Sequence, residues 1–117
     1  HFNRRRDQGM GRFITRADID RQNASRTTDL LRNLPGLALA ATATGSSIRI
    51  RNAPCPPFIW IDGTPAMAGY LDVDMFPPHT LDGIEVYSGV GTVPVELRSP
   101  RGDERCGVIA LWSRMPD

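Results

Sequence analysis

The chain has 117 residues, with 14 cationic and 13 acidic side chains and a formal net charge of +1. This length fits one domain with one modest core, because small domains bury a smaller fraction of their surface than large ones. The apolar runs are far shorter than the ~20 residues of a membrane-spanning helix. The single basic run, residues 4–6, has neither the interleaved aromatic residues nor the zinc motif of a nucleic-acid-binding domain. We therefore expect no transmembrane segment and no nucleic-acid partner.

The charge is distributed unevenly along the chain. Residues 1–51 carry ten Arg and four Asp, residues 52–97 carry six acids and no Arg, and residues 98–117 carry four Arg and three acids. Arg is the only cationic residue used. GC-rich codon usage is the simpler explanation, while the alternative is a contact surface that uses planar guanidinium groups. The asymmetry itself fits either complementary faces for a partner or neutralisation within the fold.

Two helices are predicted near the N-terminus. Thr15 and Asp18 have the spacing of a capping box, which predicts a helix over residues 16–22, and Ile14 and Ile19 fit a hydrophobic staple across its first turn. A second helix is expected from Ser25 or Thr27 to Pro35 and Gly36, where Pro cannot continue the helix and Gly reverses the chain. Residues 37–40 then leave this helix as a strand.

Further strands are expected where short apolar runs lie between turn residues. Ile48 and Ile50 alternate with Arg residues, which predicts a strand with one buried and one cationic face. This strand covers residues 47–51. Residues 58–61 and 108–112 are apolar on both faces, as in central strands. Residues 84–87 form a shorter predicted strand.

The sequence also predicts the structure of the segments that connect these strands. Asp62, Gly63 and the two residues after them form a predicted turn, with Asp bonding its own backbone and Gly available for a positive φ. Residues 72–76 are compatible with one helical turn before Pro77 and Pro78 stop it. Residues 90–105 are rich in Gly, Pro and charge, which predicts a long ordered or mobile loop.

Cys55 and Cys106 are the only cysteines, and neither lies in a metal-binding pattern. If the strands that follow them are parallel neighbours, both thiols lie at the same end of the sheet. A bridge between them would stabilise the fold by roughly 4 kcal/mol on the loop-entropy model. Two free buried thiols in a cytosolic protein are the alternative. The disulfide prediction implies export to an oxidising compartment, either periplasmic or extracellular.

Trp60 and Trp112 lie in the two candidate central strands. If alternation places Phe58 and Trp60 on one face, that aromatic face needs a cover. We expect burial under the domain's own helices, with contact to a partner as the alternative, because aromatic residues are enriched at binding hot spots.

Side chains able to do chemistry are few. His79 follows two prolines, where a solvated or packing role suits it better than catalysis or metal binding. The acids are expected to form turns and caps rather than an acid–base or calcium site, and known catalytic and phosphate-binding motifs are missing from the sequence. These acids are Asp62, Asp72, Asp74, Asp82 and Glu85. We expect a non-enzymatic domain with no catalytic residue, cofactor or metal.

The order of the motifs DLLRNLPGL, IRIRN, PFIWIDGTP, LDGIEVYSG and CGVIALWSR resembles the plug domain of TonB-dependent outer-membrane receptors. The resemblance covers roughly residues 12–114. It implies a small α+β fold of the kind that fills the lumen of a 22-stranded barrel. We therefore expect a mixed sheet of about four or five short strands with two or three short helices. The expected division is a basic N-terminal arm over residues 1–11 and one plug-like domain over residues 12–117. The turn residues of the motifs are Pro35, Gly36, Asp62, Gly63, Gly83, Gly89 and Gly107.

The chain also departs from the family pattern. No barrel follows Arg114 in this sequence, no TonB-contacting box precedes Phe13, and Cys106 stands where Gly is usual. These departures favour a free-standing, exported scaffolding module, such as a periplasmic accessory subunit of a respiratory, photosynthetic or transport complex. Its predicted contact residues are Arg4, Arg5, Arg6, Arg12, Arg98, Arg101 and Arg105. The alternative is the plug of a TonB-dependent outer-membrane transporter whose barrel is not in this chain.

Overall fold

Alternating apolar runs and capped helical segments fold as the sequence predicts, into a small α+β domain. A computed structural model describes residues 11–32, 34, 37–42, 45–50, 57–65, 75–88, 93–94, 97 and 106–114. The strands within them are β1 (Arg12–Thr15), β2 (Leu37–Thr42), β3 (Gly45–Ile50), β4 (Phe58–Ile61), β5 (Thr64–Pro65), β6 (Leu81–Tyr87) and β7 (Val108–Ser113). The helices are α1 (Arg16–Gln22), α2 (Thr27–Leu31) and a 3₁₀ helix (Pro78–Thr80).

The strands form one mixed sheet of five and one hairpin. The five-stranded sheet has the order β1-β6-β7-β4-β5, and β2 pairs with β3 separately. The central pair β4 and β7 is parallel, with Phe58 opposite Val108, while the other pairings are antiparallel. The parallel pairing that the disulfide prediction assumed for these two strands is therefore present.

Helix α1 begins and ends as its sequence predicts. The hydroxyl of Thr15 accepts a hydrogen bond from the Asp18 N–H, and the Thr15 N–H donates to the Asp18 carboxylate at 2.9 Å. The helix ends at Asn23, whose φ of 48° is left-handed. Ile14 and Ile19 are both 3% exposed and belong to the same core cluster. The capping box and the staple thus fix both the start of α1 and the side that it buries.

Helix α2 is shorter than predicted. It begins at Thr27, one of the two expected positions, but Arg26 provides no side-chain cap. The last helical bond runs from the Arg32 N–H to the Thr28 carbonyl, and the Leu34 N–H then bonds the Leu31 carbonyl in a tighter turn. The expected end at Pro35 and Gly36 is therefore wrong by several residues, because the chain tightens before it reaches the proline. Those two residues lie outside the described part of the chain.

The strand predictions also need corrections. The strand expected over residues 84–87 begins at Leu81 and is seven residues long, with a register shift between Leu81 and Gly83. Strands β1 and β5 were not predicted, nor was the 3₁₀ helix after Pro77. Both unpredicted strands lie at edges of the sheet and are short, so neither has a periodic pattern long enough to read. The helical turn expected over residues 72–76 is not tested, because only the last two of these residues, Met75 and Phe76, are described.

One face of the five-stranded sheet packs on the helices, and we call it the helix face. Leu30 and Leu31 of α2 are fully buried there, and Ile19 contributes from α1. Aliphatic side chains make up this cluster: Ile14, Ile19, Leu30, Leu31, Ile50, Ile59, Leu81, Ile84, Val86, Ile109 and Leu111. The opposite face of the sheet therefore carries the alternate residues of the same strands.

Candidate functional site

The face of the sheet opposite the helices is aromatic. Of the six aromatic residues that the structure describes, five lie on this face, which we call the aromatic face: Phe13, Phe58, Trp60, Tyr87 and Trp112. They come from strands β1, β4, β6 and β7. Phe58 and Trp60 share this face because residues two apart in a strand point to the same side of the sheet. Val93 and Leu97 pack on this face together with Val108 and Ala110 of β7. Four strands thus bring five aromatic side chains together on one face of the sheet.

Trp60 is buried as predicted, with 7% of its surface exposed. Its expected cover is wrong, because the helices lie on the other face and Val93 and Leu97 belong to the cluster that packs around Trp60. Strand alternation shows which residues share a face, but it does not show on which face the helices pack. It therefore could not predict that Val93 and Leu97, rather than the helices, pack against Trp60. Trp112 and Phe58 are only partly buried.

Glu85 lies on the aromatic face and is fully buried. Its Oε1 accepts a hydrogen bond from the Tyr87 hydroxyl at 2.6 Å, and its Oε2 accepts one from the Trp112 indole N–H at 2.5 Å. A carboxylate removed from water needs such donors, because an unpartnered charge in the interior is very costly. The expectation that this acid forms a cap or a turn is therefore wrong. Glu85 instead joins two aromatic side chains from neighbouring strands.

Ring contacts extend the aromatic face on both sides of this network. Phe13 meets Tyr87 edge to face, with ring centroids 5.9 Å apart and an interplanar angle of 88°. Phe58 and Trp60 are tilted, with centroids 6.2 Å apart. Such pairs contribute about 0.5–1.5 kcal/mol each beyond their burial. In contrast to Trp112, the buried indole N–H of Trp60 has no acceptor within the part of the chain that the structure describes.

The predicted contact arginines are not assembled by the described structure. Arg12 lies on edge strand β1 and is exposed. The other six lie outside the described residues: Arg4, Arg5, Arg6, Arg98, Arg101 and Arg105. Their role in partner contact stays a prediction.

Cys106 lies immediately before β7 and is 1% exposed. It is not a free thiol. Its predicted partner, Cys55, lies outside the described residues, so the Cys55–Cys106 bridge stays a prediction. The parallel pairing of β4 and β7 agrees with the premise of that prediction.

The turn between β4 and β5 is held by side-chain contacts to β7. Asp62 and Gly63 have φ angles of 51° and 85°, so both central residues are left-handed, as a two-residue hairpin turn of type I′ requires. The Asp62 carboxylate accepts hydrogen bonds from the Ser113 N–H at 2.8 Å and from the Ser113 hydroxyl at 2.6 Å. The expected bond of Asp62 to its own backbone is replaced by this link across the sheet.

Gly107 occupies a close approach between elements. Its φ is +87°, and an added Cβ would collide with the Ile50 side chain and lie 2.7 Å from the Tyr87 carbonyl oxygen. Gly83 was expected at a turn but lies inside β6, next to the register shift. Gly89 lies outside the described residues with Pro35 and Gly36.

The remaining chemical candidates are not gathered into a site by the described residues. His79 is exposed on the 3₁₀ helix, and Asp82 is exposed on β6. Asp72 and Asp74 lie outside the described residues. In the part of the chain that the structure describes, no group of three or more His, Cys, Asp or Glu side chains could hold a metal ion. The same part contains no helix that is long and apolar enough to span a membrane.

Comparison with known proteins identifies the sequence pattern. Residues 7–102 match the family described as the TonB-dependent receptor plug domain. The fold is similar to that of a ferric enterobactin receptor mutant from Pseudomonas aeruginosa, with a TM-score of 0.69 and 22% identity over 92% of this chain and 17% of that chain. It is also similar to the siderophore receptor PirA from Acinetobacter baumannii, with a TM-score of 0.67 and 22% identity over 92% of this chain and 17% of that one.

A third similar structure is the ferripyoverdine receptor of the outer membrane of Pseudomonas aeruginosa, with a TM-score of 0.65 and 19% identity. The match covers 92% of this chain and 14% of that receptor. This sequence therefore spans less than a fifth of the length of these receptors. A comparison with curated protein sequences finds no match.

Proposed function

The chain belongs to the TonB-dependent receptor plug domain family, and from that membership we propose that it is the plug of an outer-membrane transporter. The family match over residues 7–102 carries the proposal. The structural similarity to three siderophore receptors supports the same fold. These findings favour the plug of a TonB-dependent transporter, which the sequence left as the alternative. The comparisons offer no support for an accessory subunit of a membrane complex. The family is related to transport rather than to an enzymatic reaction.

The dimensions of the domain suit this role. Its principal extents are 37 × 34 × 26 Å. A 22-stranded barrel with a strand spacing near 4.8 Å and a tilt near 40° has a diameter of about 44 Å between opposite backbones. A domain of this size fills most of such a lumen and leaves room for the side chains of the wall.

The described packing also suits a plug. Both faces of the five-stranded sheet are packed with apolar side chains, so its centre offers no route for a solute. Charged side chains of α1 are paired within the helix: Arg16 pairs with Asp20 at 2.9 Å, and Arg21 pairs with Asp18. Such mixed charges on the described helix α1 are compatible with the polar interior of outer-membrane barrels.

The experiment is to test whether this domain closes a barrel. Residues 12–114 would replace the plug of a siderophore receptor in a strain that lacks the native receptor. The measured quantity is the entry of a large antibiotic that passes through the barrel when the plug is deleted. We expect the chimera to exclude the antibiotic nearly as well as the intact receptor does.

The matched control is a chimera carrying Gly107→Ala, which disturbs packing between β3, β6 and β7 without changing charge. We expect this control to leak more than the parent chimera. Barrel abundance in the outer membrane is measured for both by heat-modifiable gel mobility. A chimera that is abundant in the membrane and contains a folded domain, yet admits antibiotic like the plug-deleted barrel, would refute the proposal.

A further inference from the structure

Two oxidisable rings of the aromatic face meet at one buried carboxylate. Glu85 is 0% exposed, its Oε1 accepts from the Tyr87 hydroxyl at 2.6 Å, and its Oε2 accepts from the Trp112 indole N–H at 2.5 Å. Both donors are held at the short distances of bonds to an ionised acceptor. Phenol and indole are the side chains from which radical oxidants readily remove one electron. The sheet therefore joins two oxidisable rings through one base.

The two rings differ in their access to solvent. Tyr87 is 1% exposed, and Phe13 packs edge to face against its ring. Trp112 is only partly buried. A dissolved oxidant can therefore touch the indole of Trp112 but not the phenol of Tyr87, so an oxidising equivalent would enter the network at Trp112.

Either donor can pass its proton to Glu85. A phenol or an indole becomes a strong acid when it loses an electron, because the positive charge on the ring weakens the O–H or N–H bond. An ionised carboxylate that already accepts a hydrogen bond from that group can take the proton with little movement of heavy atoms. Glu85 meets the two donors with separate oxygens, so it can accept a proton from each of them.

We propose that Trp112, Glu85 and Tyr87 form a radical relay, which moves an oxidising equivalent from the surface to a buried phenol. In the first step, a one-electron oxidant such as an azidyl or carbonate radical takes an electron from Trp112 and becomes its anion, while the indole N–H proton moves to Oε2 of Glu85. In the second step, Tyr87 gives one electron to the indolyl radical. Trp112 takes its proton back from Oε2, and the Tyr87 hydroxyl proton moves to Oε1. The products are intact Trp112, a neutral tyrosyl radical and protonated Glu85.

Strand pairing holds the relay together. Glu85 and Tyr87 share one face of β6, and Trp112 of β7 lies opposite Gly83, two residues before Glu85. The relay uses groups of the sheet alone, so it does not rest on the placement of the domain in a barrel. Its reactants are small radicals that accept one electron.

Pulse radiolysis of the 117-residue chain tests the relay, with the azidyl radical as the probe. All proteins carry Tyr70→Phe, because the chain has two tyrosines and Tyr87 must be the only source of a tyrosyl signal. We expect the visible absorption of the indolyl radical to decay while the tyrosyl band rises at the same rate. That rate should not depend on protein concentration, because both rings belong to one molecule. It should fall about twofold or more in D₂O, because a proton moves with the electron.

Three variants separate the members of the relay. Glu85→Gln keeps the side-chain volume but is no longer a base, so electron transfer should be about tenfold slower or more. Tyr87→Phe should leave the indolyl radical without a tyrosyl product. Trp112→Phe should lower the tyrosyl yield, and any indolyl signal that remains in it comes from Trp60. Circular dichroism checks that each variant is folded, and the isotope effect is measured without any change at Glu85.

Three results would overturn the relay. One is a parent protein in which the indolyl radical forms but no tyrosyl band follows. Another is a transfer rate that is unchanged both by Glu85→Gln and by D₂O, because Glu85 would then not be the proton acceptor. The third is a rate proportional to protein concentration, because the transfer would then occur by collision between molecules.

Discussion

Replacement of Glu85 by Ala is expected to destabilise the domain substantially. The variant removes the acceptor of two hydrogen bonds and leaves the Tyr87 hydroxyl and the Trp112 indole N–H without that partner. Tyr87 is 1% exposed, so its hydroxyl cannot turn to water, whereas Trp112 is only partly buried and can recover some hydration. Removal of the acceptor of a buried hydrogen bond costs about 1–3 kcal/mol. The cavity left by the missing side-chain atoms adds to this cost.

The expected loss in the free energy of unfolding is therefore about 2–4 kcal/mol for Glu85→Ala. For Glu85→Gln, which keeps the volume but can accept from only one of the two donors, about 1–2 kcal/mol is expected. Stabilities of small domains are 5–15 kcal/mol, so either loss is measurable. The assay is urea unfolding at pH 7, followed by tryptophan fluorescence and by circular dichroism.

Asp82→Ala is the matched control, because Asp82 lies on the same strand but is exposed. It should change stability by no more than about 0.5 kcal/mol. A Glu85→Ala variant as stable as this control would refute the reasoning, because the two hydrogen bonds to Glu85 would then contribute nothing measurable to stability. Tyr87→Phe, alone and combined with Glu85→Ala, then measures the coupling, and we expect the two losses to be less than additive.

Three further predictions concern the turns, the first helix and the cysteines. Gly107→Ala should lower the free energy of unfolding in urea by about 2 kcal/mol or more, and Gly63→Ala should lower it by less. Both positions have a positive φ, but an added Cβ at Gly63 meets only Trp112 atoms at 3.8 Å or more, whereas one at Gly107 collides with Ile50. Equal losses would contradict this prediction. The Thr15 N–H, followed by the Thr15 hydroxyl and Arg21, holds the pKa of Asp18 below its usual value. The stabilisation by Asp18 should therefore be complete above pH 4 to 5 and lost as the pH falls through the lowered pKa. The difference in stability between the parent and Asp18→Asn, measured from pH 7 to pH 2, should shrink on acidification; a constant difference would contradict the capping role. Intact mass after alkylation should show no accessible thiol in native protein, and reduction should lower stability by about 4 kcal/mol; alkylation of both cysteines without reductant would exclude the bridge.

The parts of the fold that the sequence predicts well are those fixed by local chemistry. Thr15 and Asp18 determine the start of α1 within one turn, so their spacing alone predicts the helix correctly. The inner positions of β4 and β7 are predicted because both strands are apolar on both faces, which is typical of central strands, whereas their parallel pairing was only a condition of the disulfide prediction. The end of α2 is not predicted, since its last turn tightens before the proline that was expected to end it.

The aromatic face is harder to predict because its members are distant in sequence. Phe13 and Tyr87 meet only because β1 pairs with β6, and β1 is four residues long with no readable alternation. Glu85 could have been noticed, since it lies between Ile84 and Val86 and two residues before an aromatic residue in a strand. That pattern predicts an acid on the same face as Tyr87, but strand pairing is needed to place Trp112 beside it.

The Glu85 network gives a physical reason for one register of β6. Ile84 and Val86 point to the helix face, and Glu85 and Tyr87 point to the aromatic face. A slip of β6 by one residue would exchange these faces, because side chains alternate with a period of two. The carboxylate would then lie among aliphatic side chains, far from the Trp112 indole, and would lose its donors. An apolar residue at position 85 would tolerate that slip, whereas Glu85 penalises it strongly. The buried carboxylate therefore favours the register that brings β6 and β7 together in the native sheet.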